Sequence, residues 1–315
     1  MSGKSLQIED AARGVGLSFH ADKLEMSFRS PRDNVTLSAT VPMTSVPPQD
    51  EAGQVKIAER AARALPQATR IVNAIAQWLV SSREDTNHTY HLTSRNLAHL
   101  SHHLAMVLKA SAKDMAAYMA EAMDDAGLAA HVAAMTAKQP QALRAVTDSV
   151  PRFGRRLGWY AVARVLKPRL IVETGVDKGL GGVLLCAALL RNAAEGHPGR
   201  YIGTEIRPEA GYLIAEPYAA VGRVAYGDSL TTLKGIGEPI DLFINDSDHS
   251  VDYEAEEYRA IAPRLQDGSM IISDNAHASD ALLRFAEETG RRFTFFREQP
   301  QDHWYPGCGI GFAYR

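Results

Sequence analysis

The chain has 315 residues, of which 45% are hydrophobic and 23% charged, and its formal net charge is −3. This length favours more than one domain. The small charge gives no reason to expect a nucleic-acid or anionic-membrane partner, and no apolar run approaches the ~20 residues of a membrane span. The two cysteines indicate no disulfide framework. Together with an N-terminus that lacks an apolar signal core, they favour the cytoplasm.

The first 150 residues divide into an extended arm and a helical region. Apolar and polar residues alternate between Leu17 and Val41, which predicts a small β-hairpin, and a Pro-containing linker follows at 44–53. Helical apolar spacing then sets in. We predict an arm over 1–53 and a helical cap or oligomerisation domain over 54–150, whose composition favours a homodimer. The histidines of this half lack zinc-site spacing and predict solvated faces: His88, His91, His102 and His103.

The most informative stretch opens the second half of the chain. Residues 170–172 predict an apolar strand ending at Glu173, and Gly175 and Gly179 follow before an apolar helix. Glycines let the backbone approach a ligand, and a helix N-terminus offers free N–H groups. The spacing is not G-x-G-x-x-G, because Asp177 takes the middle position, and no Lys-Ser/Thr pair indicates a P-loop. The stretch predicts a nucleoside pocket.

Four more predicted strands end at polar residues. The first ends at Glu205, whose carboxylate can accept both hydroxyls of a ribose. The next three run into Asp228, Asp246 and Asp274. Helical stretches alternate with these strands, and two late apolar stretches indicate a closing hairpin. The sequence therefore predicts an α/β catalytic domain over 151–315, with a Rossmann-like, mostly parallel sheet.

The glycine turn and the ordered strand ends resemble the class I S-adenosylmethionine-dependent methyltransferases, from roughly Leu157 to Arg315. The stretch Asp246-Ser-Asp248-His249 is similar to the Asp-x-Asp-His signature of bacterial small-molecule O-methyltransferases. The resemblance implies S-adenosylmethionine as cofactor and a small-molecule hydroxyl or amine as acceptor, in secondary metabolism. The cofactor-binding residues that it implies are Glu173, Gly175, Asp177, Gly179, Glu205 at ribose, Ile206, Asp228 at adenine, Ser229 and Asp246.

The resemblance also implies a divalent cation and a base. Asp246, Asp274 and Asn275 are similar to the metal triad of catechol O-methyltransferases, and such oxygen ligands suit Mg²⁺ or Mn²⁺. The cation would acidify the acceptor hydroxyl. His249 stands where catechol-type enzymes have a Lys base, so we predict His249 as the base, with Asp246 beside it. The alternative is that Asp274 and Asn275 only form a turn.

Aromatic residues are candidates for the acceptor pocket: Trp159, Tyr160, Trp304 and Tyr305. The first two can contact the substrate or the sulfonium by cation–π interaction, with core packing as the alternative. The other two lie on a late loop. Two other functions stay open: a cyclase or lyase that consumes S-adenosylmethionine and releases methylthioadenosine, and a non-catalytic module that senses the cofactor. The acidic cluster beside the pocket favours an enzyme over a sensor.

Overall fold

The computed structural model describes residues 6–10, 15–19, 23–29, 36–42 and 50–315. The chain divides into two compact units, Met1–Ser82 with Asp302–Trp304, and Arg83–Gln301 with Tyr305–Arg315. Most of the predicted linker at 44–53 lies outside the described residues. Within the part of the chain that is described, no helix combines the length and apolarity needed to cross a membrane.

The first unit contains a small antiparallel sheet and one long helix. Its strands pair in chain order and are β1 (Leu6–Asp10), β2 (Val15–Phe19), β3 (Lys23–Arg29) and β4 (Thr36–Pro42). The predicted hairpin is the pair β3–β4, with Leu24 opposite Val41. Helix α1 (Glu51–Ser81) begins after Asp50, whose carboxylate accepts a hydrogen bond from the backbone N of Gly53 at 2.7 Å. This cap satisfies one of the free N–H groups of the first turn.

The second unit begins with helices that share a core with its sheet. They are α2 (Ser94–Leu108), α3 (Ala112–Met123), α4 (Ala126–Ala137), α5 (Gln141–Ala145) and α6 (Arg156–Leu166). Side-chain caps from Thr93, Ser111 and Asp125 fix the starts of the first three. Leu104 and Met115 belong to the same buried cluster as sheet residues. Helices of this region therefore stabilise the sheet that carries the site. The predicted boundary between a helical domain and the catalytic domain at residue 150 stays a prediction.

The sheet of the second unit has seven strands, and helices connect most of them. The elements are β5 (Leu170–Thr174), α7 (Leu180–Ala194), β6 (Arg200–Glu205), β7 (Gly222–Tyr226), α8 (Ser229–Gly235), β8 (Ile240–Asn245), α9 (Val251–Ile261), β9 (Leu265–Ser273), α10 (Ala281–Glu288), β10 (Arg292–Phe296) and β11 (Ile310–Tyr314). The strand order is β10-β11-β9-β8-β5-β6-β7. Strands β5 to β9 pair in parallel. Strand β11 is antiparallel to both of its neighbours, β9 and β10. The predicted mostly parallel sheet with a closing hairpin is confirmed.

The strand order places a crevice at the carboxyl end of β5. From β5 the chain proceeds outward to β6 and β7, and then crosses to β8 on the other side of β5. Neighbouring connections leave in opposite directions at such a switch point, so a crevice opens between them and ligands bind there. All five residues of β5 are buried, as expected for a central parallel strand covered on both faces.

Candidate active site

A cleft of about 410 Å³ lies at the carboxyl ends of β5 to β8. Its size lies within the range of small-molecule pockets. The lining residues are Gly175, Asp177, Thr204, Glu205, Ile206, Arg207, Gly227, Ser229, Asp246, Ser247, Asp248 and Tyr253. They come from turns far apart in sequence, which the parallel sheet brings to one edge.

The glycine turn after β5 is needed for the loops of this cleft to approach each other. Gly175 has φ of 79°, in the left-handed region that favours glycine. A Cβ at this position would collide with the backbone oxygen of Asp246. Gly179, with φ of 96°, is the N-cap of α7. The turn lets the loop after β8 contact the start of the β5–α7 connection.

Glu205 lies at the end of β6 and is anchored by backbone N–H groups. Its Oε2 accepts from Asp177 N at 2.9 Å, and its Oε1 accepts from Ile206 N at 3.0 Å and Arg207 N at 3.1 Å. These bonds fix the carboxylate in the wall of the cleft. The side chain of Ile206 is 75% exposed and lines the cleft, so an apolar surface lies next to the carboxylate.

A charged bridge crosses the rim beside Glu205. The Nη2 of Arg207 donates to Asp177 Oδ1 at 2.8 Å, and His88 Nδ1 lies 3.4 Å from Asp177 Oδ2. His88 is buried, so its predicted solvated position is wrong. Burial, with the nearby Arg156 charge, lowers the pKa of His88 to about 3. The imidazole is therefore neutral at pH 7 and contacts Asp177 as an uncharged group.

Glu173, which was predicted to bind the cofactor, lies inside the protein instead. It is 2% exposed, and its Oε2 accepts from the hydroxyl of Tyr201 at 2.6 Å. Burial raises the pKa of Glu173 to about 7, even though the bond from Tyr201 opposes the shift. The carboxyl group is bonded to Tyr201 in the interior and is absent from the cleft wall formed by the described residues.

Asp228 caps a helix, and its two neighbours line the cleft. Its Oδ2 accepts from Thr231 N at 2.8 Å, and its Oδ1 accepts from the hydroxyl of Tyr253 at 2.8 Å. Gly227 and Ser229 line the cleft. The Asp228 carboxylate therefore holds the start of α8 and Tyr253, and its predicted contact with adenine stays a prediction.

Beneath the cleft, a buried glutamate joins the ends of three strands. Glu257 on α9 accepts from Thr174 Oγ1 at 2.9 Å and Ser247 Oγ at 2.8 Å, and also from Ser229 Oγ and Asn245 Nδ2. Burial raises the pKa of Glu257. Sequence reasoning missed this residue, because nothing near it in the sequence signals four partners from three other segments.

The predicted metal ligand Asp274 is already paired with a buried arginine. Arg155, just before α6, donates through Nε and Nη2 to the two carboxylate oxygens of Asp274. Burial alone would raise the pKa of Asp274, but the Arg155 charge and hydrogen bonds hold it below its usual range. Asp246 lies beside this pair, and burial followed by the charge of Asp274 raises its pKa well above the usual value.

Two of the three predicted metal ligands have hydrogen-bond partners inside the protein. Arg155 occupies both oxygens of Asp274. The amide nitrogen of Asn275 donates to the backbone oxygen of His249 at 3.0 Å and to Glu254 Oε2 at 3.3 Å. Across residues 50–315 and the four described strands before them, no three His, Cys, Asp or Glu side chains converge to hold a metal. The positive charge next to Asp274 comes from the guanidinium of Arg155, and the metal site stays a prediction.

His249, the predicted base, lies at the edge of the cleft. Its side chain is 52% exposed, and its Nε2 is 3.9 Å from Asp246 Oδ1. Asp248, on the same loop, accepts from the backbone N of Ser250 at 2.7 Å before α9 begins. The loop after β8 therefore brings two carboxyl groups to the cleft wall, with an imidazole beside one of them.

The four aromatic candidates lie elsewhere than the described cleft wall. Trp159 and Tyr160 are core residues with 0% and 1% exposure. The cation over Trp159 is Arg156, at 5.6 Å, while Tyr160 donates to Glu121 at 2.5 Å. Tyr305 donates to Glu298 at 2.9 Å, and Trp304 belongs to the first unit. The aromatic residue that lines the cleft is Tyr253, which sequence reasoning missed.

Comparison with known proteins gives a family match over the sheet. Residues 172–276 match the family model described as "Methyltransferase domain". Similar solved structures include the O-methyltransferase TomG from Streptomyces achromogenes in complex with SAM (20% identity, 61% of this chain, 90% of that chain, TM-score 0.43). They also include an O-methyltransferase from Bacillus cereus in complex with SAH (15% identity, 70% of this chain, 99% of that chain, TM-score 0.39). No curated protein matches.

Proposed function

We propose that this chain, whose residues 172–276 match a methyltransferase domain model, transfers the methyl group of S-adenosylmethionine to a small-molecule hydroxyl. The observation that carries the proposal is the anchored carboxylate of Glu205 in the cleft beside the glycine turn. A carboxylate at the end of the second strand suits a ribose diol. An amine is the other acceptor class, and a role in secondary metabolism and a homodimer stay predictions.

The cleft suggests how the cofactor would bind. Glu205 would accept the ribose hydroxyls, and the exposed side chain of Ile206 would cover one face of the purine. The methionine part would lie over the turn between Gly175 and Gly179, where the start of α7 offers free N–H groups to its carboxylate. The Nε of Arg207 also donates to Glu205 Oε1, at 3.3 Å. This side chain is 52% exposed, so it can move away from Glu205 when the ribose binds.

The proposed reaction is a direct displacement at the methyl carbon. The acceptor oxygen forms a bond to this carbon while the carbon–sulfur bond breaks, its electron pair stays on sulfur, and the hydroxyl proton passes to a base. The products are the methyl ether and S-adenosylhomocysteine. The sulfonium supplies the intrinsic reactivity, so the protein contributes orientation and proton removal.

We assign proton removal to His249. Its position at the cleft edge, 3.9 Å from Asp246, lets an acceptor hydroxyl lie between the imidazole and the cofactor. An imidazole is a suitable base near neutral pH. Asp246 would orient the imidazole or the acceptor. No step is assigned to a divalent cation, because Arg155 already bonds both carboxylate oxygens of Asp274.

Analysis of the nucleoside product tests methyl transfer against the cyclase alternative. The purified protein is incubated with S-adenosylmethionine, with and without a panel of hydroxylated acceptors, and the nucleoside is identified by mass spectrometry. We expect S-adenosylhomocysteine, and only when an acceptor is present. Methylthioadenosine formed at enzymatic rates without an acceptor would contradict methyl transfer and support a cyclase or lyase.

A further inference from the structure

A buried guanidinium stands where the resemblance implies a divalent cation. We infer that Arg155 is the permanent cation of this site and that the acceptor is methylated without a divalent metal ion. The inference rests on the proposed methyl transfer. It starts from the side chains of Arg155 and Asp274, which are 7% and 6% exposed and face each other in a two-point contact. Such a fork-to-fork pair is the strongest geometry an arginine makes with a carboxylate.

The arginine is held from its other side as well. Its Nη1 donates to Glu298 Oε1 at 3.1 Å and contacts the hydroxyl of Tyr90. Tyr90 in turn donates to Glu298 Oε2 at 2.6 Å. Glu298 is 1% exposed, so the guanidinium is shared by two buried carboxylates, Asp274 and Glu298. A metal ion that displaced it from Asp274 would leave a buried charge without its partner, which is strongly unfavourable.

The third predicted ligand, Asn275, forms hydrogen bonds within the protein. Asn275 uses its amide nitrogen to join the end of β9 to the backbone of His249 and to the buried Glu254. Its backbone N donates to Ser273 Oγ at 3.1 Å. The bonds from the amide nitrogen hold the His249 loop against the end of β9. Asn275 therefore fixes the loop that carries the proposed base.

Arg155 acts through Asp274 and does not contact the acceptor. A guanidinium has five N–H donors, and the bonds to Asp274, Tyr90 and Glu298 use four of them. It is a positioning residue that holds Asp274 behind the cleft, next to Asp246, which lines the cleft wall.

Binding of Mn²⁺ tests the inference directly. The wild-type protein, saturated with S-adenosylhomocysteine, is titrated with manganese chloride and free Mn²⁺ is followed by electron paramagnetic resonance. We expect no saturable site tighter than about 1 mM, the weak end of protein cation sites. One bound Mn²⁺ per chain, lost in Asp274→Asn, would overturn the inference. Calorimetry of S-adenosylhomocysteine on the same sample shows separately whether the proposed cofactor binds at all.

A matched pair of variants identifies the guanidinium as the cause. Arg155→Met frees the oxygens of Asp274, and we expect Mn²⁺ to bind at least about tenfold more tightly than in wild type. Arg164→Met is the control, because Arg164 is also buried on α6 but bonds to Glu121 and Glu195. No gain in a folded Arg155→Met would contradict the inference, as would an equal gain in both. If Arg155→Met does not fold, the wild-type titration decides alone.

Discussion

Glu205 and Asp228 are both acidic residues that follow strands of one sheet, yet their side chains have different partners. Glu205 is bonded by three backbone N–H groups that hold it in the cleft wall. Asp228 caps α8 and accepts from Tyr253. The sequence shows only an acid after each strand. What separates the two is the element that follows, because a helix that starts at once engages the carboxylate in capping.

At the residue scale, the proposed base gives a clear prediction. His249→Ala should lower kcat by about 100-fold or more, the usual contribution of a positioned base. The affinity for S-adenosylhomocysteine should stay within about twofold of wild type, because the imidazole lies beside the acceptor. Steady-state kinetics and calorimetry measure the two effects.

The control for this prediction is His277→Ala, since His277 is exposed on the loop after β9 and we assign it no role. It should leave kcat unchanged. If His249→Ala retained wild-type kcat, or if both variants lost the same activity, proton removal would have to be assigned to another group, with Asp246 the nearest candidate in the cleft wall.

At the element scale, the turn between β5 and α7 depends on the close approach of two backbones. Gly175→Ala would place a methyl group against the backbone oxygen of Asp246. We expect it to destabilise the protein by more than the ~1–2 kcal/mol of left-handed strain alone and to weaken S-adenosylhomocysteine binding by shifting the turn. Urea unfolding and calorimetry measure the two effects.

Gly196 provides the matched control for that variant. It also has positive φ, at 87°, but a Cβ there meets no atom within 4 Å. Gly196→Ala should show the strain without the collision, and cofactor affinity should not change. Equal loss of stability in both variants, with equal affinity, would mean that the approach of the two loops has no part in shaping the cleft.

At the scale of the whole molecule, the sequence predicted what local patterns determine. Strand ends of a parallel sheet meet at one edge, so the strand spacing predicted a cleft there, and the family resemblance assigned Glu205 and Asp246 to it. The residues that sequence reasoning missed depend on distant partners. Arg155 and Asp274 are 119 positions apart, and Tyr90 and Glu298 are 208 apart. No local pattern reports such pairs, so the sequence could not show that Arg155 bonds Asp274.

The central claim is that the cleft beside Glu205 binds S-adenosylmethionine, and calorimetric titration with S-adenosylhomocysteine tests it most directly. Wild type and Glu205→Ala are compared with Glu238→Ala, which removes an exposed glutamate paired with Arg200 at the opposite end of β6. We predict one site per chain in wild type and in Glu238→Ala, and a loss of ~1.5–3 kcal/mol of binding free energy in Glu205→Ala. Absence of binding to wild type, or equal affinity in a folded Glu205→Ala, would contradict the account.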